Sequence, residues 1–145
     1  MKFINSSYDA ESGLSKVTMQ HLGKKFTEQA RLNPAEQEKG SEYAGCYYAE
    51  LRATIKALKY ERKLAKEKAD MALDFVKSVE GYSKFDKEDP SAKAMYRQLN
   101  QRIKKVNDLA DEINACYREL EYAIHNRVTI LNAIERKKKL QDKTD

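Results

Sequence analysis

At 145 residues, with 41% hydrophobic and 35% charged side chains and a formal net charge of +5, the chain has the size of one domain and too little apolar content for a thick globular core. The opening MKFINSSYDA lacks the apolar stretch of a signal peptide, and no apolar run approaches the roughly 18 residues of a membrane span. Cys46 and Cys116 form no Cys-x-x-Cys pair and have no nearby His, so an intracellular chain with two reduced, packed thiols is expected.

Residues 1–40 read differently from the rest. Leu14-Ser-Lys-Val-Thr-Met-Gln20 alternates, with Leu14 and, one residue out of step, Val17 and Met19 as its apolar members. Phe26, Ala30 and Leu32 share one parity of the next run, and Gly23 supplies a turn within His21-Leu-Gly-Lys-Lys25. This predicts a β-hairpin. Lys2 to Tyr8 is a candidate for a further short strand before the turn Asp9-Ala-Glu-Ser-Gly13. A hairpin alone is marginal in water, so it must lie on the helical region.

Asn33-Pro34 is a helix-start signal followed by one turn or a loop up to Gly40. Ser41 then caps a long helix over about 42–80, unless Gly45 delays its start by a few residues. Beyond about residue 40, Ala, Glu, Lys, Leu and Arg dominate, as in long helices. Ala44, Tyr48, Leu51, Ile55, Leu58, Ala65, Ala69, Ala72, Val76 and Val79 fall at steps of four and three, interrupted only by Arg62. The break that follows has Gly81 as a C-terminal cap and Asp89-Pro90 as a new helix start, with Tyr82 and Phe85 expected to fold back over the tip.

A second helix over about 90–139 repeats the rhythm through Leu99, Ile103, Val106, Ala110, Ile113, Tyr117, Leu120, Ile124, Leu131 and Ile134. The short break makes the two helices antiparallel, with 79 near 92, 65 near 106 and 44 near 127. Ile130, Leu131, Ile134 and Leu140 then overrun the first helix and need cover from residues 1–40 or from a second copy of the chain. The fold class is therefore mainly α: a long antiparallel two-helix coiled-coil hairpin (41–145) with a small N-terminal β-hairpin (1–40) packed on it as one folding unit.

The basic run Arg52, Lys56, Lys59, Arg62, Lys63, Lys66 and Lys68 suggests a polyanion face. The antiparallel register sets it beside Asp108, Asp111, Glu112 and Glu119, and sets Arg97, Arg102, Lys104 and Lys105 beside Glu67, Asp70 and Asp74. Much of the basic charge is thus expected to specify pairing between helices. Arg62, on the seam, either snorkels outward or finds a carboxylate such as Glu112. Arg136, Lys137, Lys138 and Lys139 are left uncompensated: they either complement the helix macrodipole or make a weak contact with phosphate or an acidic protein face.

No catalytic or metal signature is present. His21 lies in the predicted turn, His125 has only Glu121 one turn away, and neither belongs to a three- or four-ligand cluster. No cofactor is implied, and the chain is read as non-enzymatic. Tyr43, Tyr47, Tyr48 and Tyr60, facing Tyr117 and Tyr122, either join the hairpin to the helices or anchor a partner. In the second case Tyr43, Tyr47, Arg52 and Arg118 are the candidate contact residues.

Three segments carry a resemblance: Ser12-Gly-Leu-Ser-Lys-Val-Thr-Met19, Gly23-Lys-Lys-Phe-Thr27, and Ala44-Gly-Cys-Tyr-Tyr-Ala-Glu-Leu-Arg-Ala53 leading into the Lys-rich helical hairpin. Together they resemble small accessory proteins of phages and prophages of Gram-positive bacteria. The resemblance implies a virus-encoded protein in the bacterial host cytoplasm. By analogy with small phage proteins that block host defences, it implies an anti-CRISPR-like inhibitor that acts by binding. The competing expectations are a nucleic-acid-binding replication or packaging accessory, suggested by the net charge and the 136–139 cluster, and a structural coiled-coil component of a viral assembly. A homo-oligomer is compatible with each.

Overall fold

The computed structural model describes residues 1–31, 41–126 and 136, and of residues 41–43 the backbone. Five elements follow in order: β1 (Lys2–Asp9), β2 (Leu14–His21), β3 (Lys24–Arg31), α1 (Ser41–Glu80) and α2 (Pro90–His125). The chain is mainly helical, and the strands form one antiparallel sheet in the order β1-β2-β3. The expected hairpin is thus the β2–β3 half of a three-stranded sheet. The Asn33-Pro34 helix start, Leu32 and the apolar residues Ile130, Leu131, Ile134 and Leu140 lie outside the described residues. Contacts divide the chain into two compact units, Met1–Ala57 with Asn114–Asp145, and Leu58–Ile113.

In the first unit the sheet has one buried face. Ser15, Val17 and Met19 of β2 and Phe26 and Ala30 of β3 point inward, with Met19 opposite Phe26 and Ser15 opposite Ala30. Val17 and Met19 are the inward residues expected of β2. Leu14, out of step with them, is only half-buried. Thr18 and Thr27, paired across the other face, share a side-chain hydrogen bond of 2.8 Å. The β2–β3 turn is the dipeptide Leu22-Gly23, both in the left-handed region (φ 52° and 77°), the geometry of a primed hairpin turn. His21 is therefore the last residue of β2 rather than part of the turn. Between β1 and β2, Asp9 Oδ1 accepts the Glu11 amide at 3.0 Å, which holds its carboxyl below the usual carboxylate range.

The inward face lies on the start of α1. Val17, Met19 and Ala30 form one core with Ala44, Tyr48, Ala49 and Ala53 of α1 and Ala123 of α2. Gly45 explains how close the approach is. A Cβ added there would stand 2.2 Å from Ser15 Oγ and 3.0 Å from Ser15 Cβ. The glycine does not delay the helix, which is already formed at Ser41; it makes room for β2. Around this contact Arg52 Nη1 donates to the Gln29 carbonyl at 3.0 Å, and Lys56 pairs with Glu28 at 2.9 Å. On the other flank of α1, Tyr48 donates to the Ala123 carbonyl of α2 at 3.1 Å.

In the second unit α1 buries or half-buries Leu58, Arg62, Ala65, Ala69, Ala72, Val76 and Val79, the stripe expected from the sequence. α2 answers with Ala92, Met95, Leu99, Arg102, Val106, Leu109 and Ile113. The pairs Glu61–Lys105 (3.6 Å) and Arg102 Nη1 to the Lys68 carbonyl (3.1 Å) run antiparallel, as expected. The α2 stripe itself differs from expectation. Leu99, Val106, Ile113 and Leu120 keep their places, but Leu109, Cys116 and Ala123 replace Ala110, Tyr117 and Ile124, and Ile103 is exposed. The reason is an ambiguity of phase: beyond Val106, Ile113 and Leu120 the residues three and four further on are both apolar, and the spacing alone favours a step of four where the structure takes a step of three. Charge pairing also differs, since Lys104 binds Asp108 of its own helix at 2.7 Å instead of a residue of α1. Arg62 keeps its stem on the stripe, and its buried Nε has no hydrogen-bond partner.

Gly45→Ala is expected to destabilise the protein by about 2 kcal/mol through overpacking against Ser15, although alanine is the better helix former. Adding Ser15→Gly should restore most of that loss. Equal urea midpoints for wild type and Gly45→Ala would show that the sheet does not sit on α1 as described.

Candidate functional site

The residues singled out from the sequence are placed as follows. Tyr47 lies on α1, half-buried, and donates from its hydroxyl to Glu119 Oε1 of α2 at 2.6 Å. Its ring stands 6.4 Å from that of Tyr48, tilted by 54°. Burial, and then the Glu119 carboxylate accepting the proton, raise the Tyr47 pKa well above the usual tyrosine value. Arg52 reaches the other way, to β3. The structure thus does not gather Tyr47 and Arg52 into one patch: each fastens α1 to a different neighbour. Tyr43 belongs to α1 by its backbone, Arg118 is exposed on α2, Arg136 is helical and exposed, and Lys137, Lys138 and Lys139 lie outside the described residues.

A different site stands out in the second unit, at the loop joining the helices. Gly81 closes α1 by donating to the Lys77 and Ser78 carbonyls. It does so without the left-handed backbone of a glycine cap, which among the described residues occurs at Gly13, Leu22 and Gly23. Phe85 donates from its amide to the Tyr82 carbonyl at 3.1 Å, and Asp89 to that of Asp86 at 3.2 Å. Asp89 Oδ1 then accepts the Ser91 amide at 2.8 Å, the N-cap expected from Asp89-Pro90. The loop is therefore held by its own backbone and two aspartates.

Beside that loop is an apolar groove of about 290 Å³, lined by Phe75, Val79, Phe85, Ala92 and Met95 together with Lys84, Asp86 and Asp89. Phe85 packs edge-on to Tyr96 with centroids 6.4 Å apart, as a residue folded back over the tip should. Tyr82 does not fold back: it is 71% exposed. Phe75 is 60% and Met71 70% exposed, one helical turn apart on α1. Phe75 thus lines the groove with most of its ring in water, and Met71 and Tyr82 are further large side chains exposed in the same unit. The sequence signal was available, since Met71 and Phe75 fall between the seam residues Ala69, Ala72 and Val76 where polar residues are expected. Burial, and then the nearby Glu80 carboxylate, raise the Tyr96 pKa.

The groove is mainly apolar. Oδ1 of Asp86 and of Asp89 accepts the Glu88 and Ser91 amides respectively. Its volume is at the bottom of the range for drug-sized ligands, about 300–1,000 Å³, and suits an inserted side chain better than a whole small molecule. Among the described residues no group of three or more His, Cys, Asp or Glu is placed to hold a metal ion. None of their helices is long and apolar enough to cross a membrane. Compared with protein-family models, curated proteins and solved structures, the chain matches none.

The Tyr47–Glu119 bond predicts an alkaline effect. A hydroxyl whose pKa is raised on folding contributes stability that is present below the unfolded value of about 10 and is lost as pH rises through the folded value. Tyr47→Phe should cost about 1 kcal/mol at pH 7, and the gap to wild type should narrow above pH 10. Urea unfolding at pH 7 and pH 11 measures both, and an identical gap at the two pH values contradicts the assignment.

Proposed function

We propose that this chain is a non-catalytic protein-interaction module, a coiled-coil helical hairpin that presents an apolar groove at its loop to a protein partner. The observation that carries this reading is the exposure of Phe75, a lining residue of a groove beside a loop held by its own hydrogen bonds, with Met71 exposed one turn away on the same helix. An exposed aromatic side chain at the wall of a preformed apolar cavity suits a binding hot spot, where one inserted aromatic or aliphatic anchor supplies most of the energy. The alternating steps of three and four in the buried residues of α1 and α2 support the coiled-coil description. The phage resemblance of the 12–19, 23–27 and 44–53 segments supports a host protein as the partner, with inhibition of a defence system by occupancy, in the bacterial cytoplasm, as the biological outcome.

The test is affinity capture from nuclease-treated bacterial host lysate with wild type and with Phe75→Glu, an exposed substitution that leaves the helix seam intact. One dominant protein recovered by wild type, and reduced at least tenfold with Phe75→Glu, is the expected result. Equal recovery with both chains would move the contact elsewhere. Recovery that disappears on nuclease treatment would replace a protein partner with nucleic acid.

A further inference from the structure

The sheet of the first unit lies on α1 with one face and turns the other to water. The strand register fixes which residues make that outer face. Lys2, Gln20 and Lys25 share one row across the three strands. Thr18 and Thr27 share the next, joined by their 2.8 Å hydrogen bond. Lys16 and Gln29 share the third, and Asp9 and Arg31 stand on either side of Leu14 in the last. The four cations, Lys2, Lys16, Lys25 and Arg31, are all exposed.

An antiparallel sheet covered on one side commonly has a polar outer face, and a solvated surface ordinarily mixes charges of both signs. Here the signs are sorted. The strands carry two acids, Asp9 and Glu28. Glu28 is on the helix side, where it pairs with Lys56 of α1 at 2.9 Å. Asp9 is at a corner of the outer face, with Oδ1 on the Glu11 amide and Arg31 helping to hold its carboxyl down. Four cations therefore meet one carboxylate, among neutral side chains that donate and accept hydrogen bonds. The aromatic residues are sorted as well. Phe26 is buried against the helices, while Phe3 and Tyr8 sit opposite the inward residues Met19 and Ser15. None of the strands' aromatic rings stands on the cationic face.

This combination selects among polyanions. Single-stranded nucleic acids are held largely by bases stacked on aromatic rings, which this face lacks. The major groove of duplex RNA is too narrow to be read by side chains. That of DNA is about 12 Å wide and admits β-strands. Three strands about 4.8 Å apart make a face about 10 Å across, and the Lys16 and Lys25 rows, four residues apart along β2, are separated by about 13 Å.

We propose that the outer face of the sheet binds duplex DNA in the major groove. Lys2, Lys16, Lys25 and Arg31 neutralise phosphates, and Thr27 and Gln29, in the rows between the ends, face the base edges. This surface belongs to the Met1–Ala57 part of the first unit and uses neither the Phe75 groove nor the 136–139 cluster.

Fluorescence anisotropy of a labelled mixed-sequence DNA duplex, titrated with the full chain, tests it. Four phosphate contacts predict micromolar binding at about 50 mM salt that weakens about 100-fold by about 200 mM. Lys16→Gln together with Lys25→Gln, both exposed, should weaken binding about tenfold or more at the lower salt and flatten the salt dependence by about two contacts. The urea midpoint should not move. Replacing Lys137, Lys138 and Lys139 with Gln should leave most of the binding in place. Duplex RNA and single-stranded DNA of the same sequence should bind about tenfold more weakly than duplex DNA, or worse. No binding at the lower salt would overturn the proposal. So would binding indifferent to Lys16→Gln and Lys25→Gln, binding lost with the 137–139 lysines, or RNA or a single strand held as tightly as duplex DNA. Purified chain with Phe75 intact is used throughout, so either result leaves the partner-capture test separately decidable.

Discussion

The repeat of buried residues along α1, from Ala44 to Val79 in steps of four and three, is the constraint from which the rest of the structure follows. A helix with such a stripe must cover it along its length, and α2 does so by running antiparallel. The residues chosen are mostly small. Ala44, Ala65, Ala69 and Ala72 on α1, with Ala92, Cys116 and Ala123 on α2, contribute little area each but let the backbones come close. Larger side chains are spaced among them, and Tyr48 and Tyr47 fix the first unit by donating to α2.

Near its start α1 has a second obligation. Gly45, Ala49 and Ala53 fall one turn apart and are buried beneath the sheet while the seam residues are buried beneath α2. A helix covered on two adjacent faces has no room for large residues on both, which is why this stretch is rich in glycine and alanine. The sheet depends on that surface: β1 is largely exposed on both faces, and β2 and β3 bury only one. Ser15 marks the tightest point, buried with an unpartnered hydroxyl over the glycine. Among the described residues of the second unit, the apolar side chains off the seam, Met71, Phe75 and Ile103, stand in water.

Much of this was legible in the chain. The α1 stripe, the antiparallel order, the strand alternation of Val17 and Met19, and the Asp89-Pro90 cap follow from periodicity and local chemistry, which act over a few residues. The phase of α2 was not legible, because Arg102 occupies an inner position while Ile103 beside it lies outside. An arginine with its stem on a seam and its head on the Lys68 carbonyl has no signature in spacing alone. The role of Gly45 has no signature in the local sequence, because its constraint, Ser15, is distant along the chain. The candidate contacts Tyr47 and Arg52 were chosen by residue type, and their hydroxyl and guanidinium are engaged within the fold. The groove was missed because it depends on how the loop from Gly81 to Asp89 is held, and that is settled by backbone hydrogen bonds.

The most direct test of this account is a distance between the two helices within one molecule. Spin labels at Lys63→Cys and Asp108→Cys, both exposed, in a chain carrying Cys46→Ala and Cys116→Ala and diluted in unlabelled protein, report on α1 and α2 of the same copy. With helix axes about 8–10 Å apart, a narrow distribution at about 25 Å or less is predicted. A broad distribution, or a separation of about 50 Å, would contradict an antiparallel pair joined along the α1 stripe.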